Sequence, residues 1–140
     1  MLAIDPGRDK CGIAVVGEDG RVLYQGIVAA AQVGGETARL LTEYRAKHLV
    51  VGDRTGAKDV CRALDAAGLA LTPVLVDEHH SSEEGRRRFV RDNPPRGWRR
   101  LIPHAFRTPT RPYDDYVAVL LAERYLQEGA RANRPWFARR

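Results

Sequence analysis

The apolar positions of the first 30 residues fall in short blocks separated by turn residues. Leu2 to Ile4 is wholly apolar and ends on Asp5; Pro6-Gly7 supplies a turn, and a second apolar run follows from Gly12 to Val16. Glu18-Asp19-Gly20 reads as a hairpin turn into a third run, Arg21 to Val28. The pattern predicts three antiparallel strands, with Leu2 to Ile4 central because it has no polar face.

The period then changes. After Gly34-Gly35, the positions Thr37, Leu40, Leu41, Tyr44 and His48 recur at helical spacing and predict an amphipathic helix over Glu36 to His48. A strand from Leu49 to Gly52, a helix from Lys58 to Ala67 closed by Gly68, and a strand from Leu71 to Val76 come next. Strands alternating with helices pair in parallel through right-handed crossovers. Ser81-Ser82-Glu83-Glu84 opens a helix toward Asp92, with a Ser cap and acids in its first turn. Residues 93–111 then hold Pro94, Pro95, Pro103 and Pro109 around Trp98, Arg99, Arg100 and His104, a loop long enough to serve as a lid or substrate contact. The last helix starts near Pro112 with Asp114 and Asp115 in its first turn. It is apolar almost all round from Tyr116 to Ala122, which predicts deep packing and an acidic N-terminus facing the strand tips.

Three apolar strands end on carboxylate: Leu2 to Asp5, Leu49 to Asp53, and Val74 to Asp77-Glu78. A carboxylate at the tip of a buried strand costs desolvation unless a cation or hydrogen bonds meet it. Three such tips at one sheet edge would make a divalent-cation site, and oxygen-only ligands favour magnesium or manganese over zinc. Each acid also has a plain structural use. Asp5 can cap the Pro-Gly turn, Asp53 can cap the following helix or pair with Arg54, and Asp114 suits a helix N-terminus without any metal.

The 140 residues, 44% hydrophobic, suit one domain over residues 1–140, with 131–140 as a flexible basic tail. No apolar run approaches the roughly 20 residues of a membrane span and no signal-peptide pattern opens the chain, so a soluble cytoplasmic protein is expected. Cys11 and Cys61 lack motif spacing and read as buried free thiols. The net charge of +5 is uneven: residues 81–140 hold 14 Arg against 7 acids. Arg8 and Lys10 beside Asp5, the run Arg86, Arg87, Arg88, and the pair Arg99, Arg100 are the candidate contacts to a nucleic-acid backbone. A solvated helix face explains residues 86–88 equally well, and codon bias in a GC-rich genome produces the same arginine excess.

Taken as a set, Asp5-Pro-Gly-Arg-Asp-Lys10-Cys-Gly12, Val50-Val-Gly52, Val76-Asp77-Glu78 and Asp114-Asp115-Tyr-Val-Ala118 through Leu126 resemble the YqgF (RuvX) family. These are relatives of the RuvC junction resolvases in the ribonuclease H-like superfamily. The resemblance spans Leu2 to about Leu126. It implies an α/β ribonuclease H-like fold with a mixed five-stranded sheet flanked by helices, and a nuclease implicated in maturing the 5′ end of pre-16S ribosomal RNA. Asp5, Glu78 and Asp114 would be the catalytic residues and the ligands of Mg²⁺ or Mn²⁺. Asp115 stands as the substitute for Asp114; Asp53, where the family usually has Leu, is read from this chain's own strand end as an auxiliary ligand. RNA is the expected partner, with single-stranded or junction DNA as the poorer one, and the chain would act as a monomer or homodimer. Resolvase relatives carry a second aspartate three positions into the last helix, where this chain has Val117. The sequence also departs from the family after each middle motif, at Asp53-Arg54-Thr55-Gly56 and at His79-His80-Ser81-Ser82. A non-catalytic RNA-binding module keeping a vestigial acidic cluster is the alternative from a different class.

Overall fold

The computed structural model describes residues 1–77, 81–94, 101, 112–128 and 134–135. Its order is β1 (Leu2–Asp5), β2 (Lys10–Val16), β3 (Val22–Ala29), a 3₁₀ turn (Ala30–Gln32), α1 (Val33–Tyr44), β4 (Leu49–Gly52), α2 (Ala57–Ala66), β5 (Val74–Val76), α3 (Ser81–Asp92), α4 (Asp114–Glu128) and β6 (Arg134–Pro135). The sheet runs β3-β2-β1-β4-β5-β6. The first three strands form the expected antiparallel meander, and β1, β4 and β5 lie side by side in parallel. To the five expected strands the structure adds β6, two residues paired antiparallel to β5 from within the stretch read as a tail.

Both faces of the central strands are covered, which is why their sequences are continuous apolar runs. Leu2, Ile4, Ile13, Val15, Leu49 and Val51 point to one side and pack with Leu40 of α1 and Val60 and Leu64 of α2. Ala3, Val16, Val50 and Val76 point to the other and pack with Val117 and Leu121 of α4. Helix α3 lies on α4, with Phe89 set edge-to-face on Tyr116 at 5.4 Å and Arg88 in a salt bridge to Glu123. Among the described residues no helix is long and apolar enough to cross a membrane.

Three boundaries differ from the sequence reading by three residues or more, each for a local reason. Helix α1 starts at Val33 rather than Glu36, so Gly34 and Gly35 lie inside it. A Cβ on Gly34 would stand 3.1 Å from the Ala63 carbonyl oxygen, so this glycine lets α1 cross close to α2 instead of breaking the helix. The same helix stops at Tyr44, because Arg45 turns left-handed (φ 49°), and His48 falls outside it. Strand β5 is only Val74–Val76; Pro73 has no N–H to give to a ladder.

The contact that positions α4 is at Gly12. A Cβ there would lie 1.9 Å from the Asp114 carbonyl oxygen and 2.6 Å from the Asp115 nitrogen. The first turn of α4 therefore rests directly on the backbone of β2, and a glycine within a strand is the sequence sign of such an approach. Gly12→Ala should push the helix off the sheet and cost about 1–3 kcal/mol, the usual range for overpacking. Urea unfolding checks this: an unchanged midpoint would mean that α4 does not sit where it is described.

Candidate functional site

Because β1, β4 and β5 are parallel neighbours, their carboxyl ends share one edge of the sheet. The three acid-ended runs of the sequence converge there. Asp5 ends β1, is 9% exposed, and pairs in register with Gly12 of β2. The strand alternates faces, so Asp5 lies on the same side as Ala3, the side covered by α4. Asp114 is held over Gly12 by the first turn of α4. Residues far apart in sequence thus meet at one edge across a glycine.

The thiol of Cys11 reports this proximity. Burial, the largest influence, pushes its pKa up; a backbone hydrogen bond with Gly7 opposes that, and the negative charges of Asp5 and Asp114 raise it further. Both carboxylates therefore act on one neighbouring group. Cys61, buried in α2, is pushed up to about 11, chiefly by burial. Both cysteines are free and buried, as expected from their spacing.

The remaining candidates occupy distinct positions. Asp115 is 3% exposed and accepts a 3.1 Å hydrogen bond from Gln25 Nε2 of β3. Asp53 is half-buried just past β4, its N–H donating to the Val76 carbonyl at 3.1 Å. With Ile4 paired to Val51, Asp53 lies one residue beyond the neighbour of Asp5. Glu78, Arg99 and Arg100 fall outside the described residues. The carbonyl of Asp77, one residue before Glu78, accepts a hydrogen bond from Arg124 Nη1 of α4.

The basic candidates divide as well. Arg8 is exposed on the turn that follows Asp5, and Lys10 is exposed at the start of β2. On α3, Arg86 is half-buried and Arg87 is exposed, paired with Glu83 at 2.6 Å. Arg88 turns inward and is held by both carboxylate oxygens of Glu123, at 2.9 and 3.0 Å. The run of three arginines thus contains one helix-helix tie, one exposed pair with Glu83 and the half-buried Arg86. Sequence reasoning missed Gln25, Glu123 and Arg124, whose partners sit on distant elements; Gly12 was quoted in a motif without its packing reason.

The donors near this edge are carboxylate oxygens, which suit a hard divalent cation. Among the described residues no three His, Cys, Asp or Glu side chains come together as a possible metal site. Asp5, Asp53, Asp114 and Asp115 therefore do not complete a ligand set by themselves. Helix α4 presents Val117 three residues after Asp114; it is 1% exposed, and a Cβ on Gly85 of α3 would lie 2.7 Å from its Cγ2.

By sequence the chain matches no protein-family profile and no curated protein. By structure it is similar to RuvC from T. thermophilus in complex with a Holliday junction substrate, with a TM-score of 0.56, 16% identity, and coverage of 93% of this chain and 97% of that one. A Thermus thermophilus RuvC structure superposes with a TM-score of 0.52 at 14% identity, covering 96% of this chain and 99% of that one. The fold is RuvC-like. The ribonuclease H-like architecture and the mixed sheet flanked by helices are what the motif set implied. In this RuvC-like frame the acidic edge lies where the central strand ends and the last helix begins.

Proposed function

We propose that the chain is a divalent-metal-dependent nuclease of the YqgF type, acting on single-stranded RNA and serving the 5′-end maturation of pre-16S ribosomal RNA. The observation that carries the reading is Asp114 seated over Gly12 beside Asp5, at the carboxyl edge of three parallel strands in a RuvC-like fold. Asp5 and Asp114, with Glu78 as the third carboxylate, would hold Mg²⁺ or Mn²⁺. When bound, such ions supply Lewis acidity to the attacking water and to the leaving oxygen of a phosphodiester. The chain itself supplies positioning. Asp5 is fixed by the sheet, Asp114 by the first turn of α4, and the peptide before Glu78 by Arg124. Arg8, Lys10, Arg86, Arg87, Arg99 and Arg100 would follow the phosphate backbone, whereas Arg88 is committed to Glu123.

Junction cleavage is the second reading, favoured by the similarity to a RuvC solved with a Holliday junction substrate. Against it stands Val117, packed between α4 and α3 at the position where the resolvase relatives carry an aspartate.

The deciding experiment incubates the purified chain with single-stranded RNA, single-stranded DNA and a four-way junction, in Mn²⁺ or in chelator. RNA should be cut first, cleavage should vanish in chelator, and RNA binding should weaken steeply as salt rises because arginines displace counterions. Symmetric incision of the junction with RNA intact would establish the second reading; binding without cleavage of any substrate would leave an RNA-binding module. Asp5→Asn should lower cleavage by more than the roughly 10- to 100-fold of an outer-shell change, with thermal stability kept or raised as repulsion from Asp114 is relieved. Full activity in that variant at saturating Mn²⁺ would remove Asp5 from the mechanism.

A further inference from the structure

One cavity lies away from the acidic edge. It opens at the opposite end of the sheet, where β1 starts and β2 ends, and has a volume of about 440 Å³. That is within the roughly 300–1,000 Å³ range of small-molecule sites. Its floor is apolar, from Val15 and Val16 of β2 and Leu126 of α4. Leu23 of β3 lines it while 47% exposed, an uncovered apolar side chain at the mouth.

Aromatic rings form its wall. Tyr44 ends α1 half-buried, and the exposed His48 lies against Tyr125, which is itself buried, with ring centres 5.8 Å apart and tilted by 43°. Such faces take a planar ring by stacking, and they tolerate any base. The rim is basic. Arg45 and Lys47 are both exposed, and among the described lining residues Glu18 is the lone acid. The cavity therefore combines a stacking wall with two cations suited to an anion.

Arg45 adds a separate observation. Among the described residues it is the one non-glycine with positive φ, at 49°. The position after a helix is where glycine adopts this geometry without strain, yet an arginine is held there at the cavity mouth. Retained strain of this kind accompanies functional positions.

We propose that this cavity binds a nucleotide unit, with its base against Tyr44 and His48 and its phosphate at Arg45 and Lys47. The unit is either a free mononucleotide or the terminal nucleotide of a strand. The site lies away from the acidic edge and stands whether or not that edge is catalytic.

The test uses the full chain in EDTA, so that no cation can bridge a phosphate to the acidic edge. AMP, adenosine, inorganic phosphate and a 5′-phosphorylated trinucleotide are titrated by calorimetry. AMP should saturate and bind about tenfold or more tightly than adenosine or phosphate, since one charged hydrogen-bonding contact is worth that much. Arg45→Gly should weaken AMP by a similar factor while the melting temperature holds or rises, because glycine relaxes the backbone and removes the guanidinium. Lys47→Glu should weaken it as well. Tighter binding of the trinucleotide than of AMP identifies a strand end as the ligand, and the reverse order identifies the free mononucleotide. The proposal is overturned if AMP fails to saturate at millimolar concentration, if adenosine or phosphate binds as well as AMP, or if Arg45→Gly binds AMP like the unaltered chain.

Discussion

The first turn of α4 lies on the sheet because residue 12 has no side chain. Every other feature of that face follows from this van der Waals limit. With the helix seated at Gly12, Val117 and Leu121 reach Ala3, Val50 and Val76 and close the core on that side. Asp114 arrives beside Asp5, and Asp115 turns to Gln25 on β3, which satisfies an acid that would otherwise be costly to bury. Further along the helix, Glu123 ties α3 through Arg88 and Arg124 ties the end of β5 through the Asp77 carbonyl. One helix thus holds β1 to β5 and α3 in register.

Two clusters of carboxylate and cation use the chain's uneven charge differently. At the acidic edge, β1 and the first turn of α4 bring Asp5 and Asp114 to the two sides of Gly12. On α3, part of the positive charge is neutralised internally, because Glu83 and Glu123 take Arg87 and Arg88. The number of arginines in the second half therefore overstates the cations that a polyanion would meet. What remains outward includes Arg8 and Lys10, directly after the strand that carries Asp5.

Much of this was legible in the sequence, for a physical reason. Leu2 to Asp5, Leu49 to Asp53 and Val74 to Asp77 are short apolar runs ending on acid, and a parallel arrangement necessarily brings such ends to one edge. The apolar run after Asp115 similarly announced a helix buried on several sides. The features that were not legible depend on a partner elsewhere in the chain. Gly34 reads as a helix breaker until Ala63 is placed 3.1 Å from where its Cβ would be. Arg88 reads as one of three equivalent cations until Glu123 lies opposite it. Neither Gln25 nor β6 carries a local signal, since one is a polar residue on a half-exposed strand and the other spans two residues. The acidic edge could be inferred as a place, while the direction in which Asp53 and Asp115 are committed could not.

Helix α4 also runs from one end of the sheet to the other. Its 15 residues amount to a rod of about 22 Å, with Asp114 at the acidic edge and Tyr125 and Leu126 lining the cavity at the far end. A helix does not compress along its axis at ordinary energies, so any slide of this rod is felt equally at both ends. The backbone of β2 under Asp114 limits how closely the rod can approach the sheet. The Arg88 and Arg124 ties resist its sliding past α3 and β5. The two ends of the protein are therefore mechanically one part, and a load on either is carried by the same few contacts.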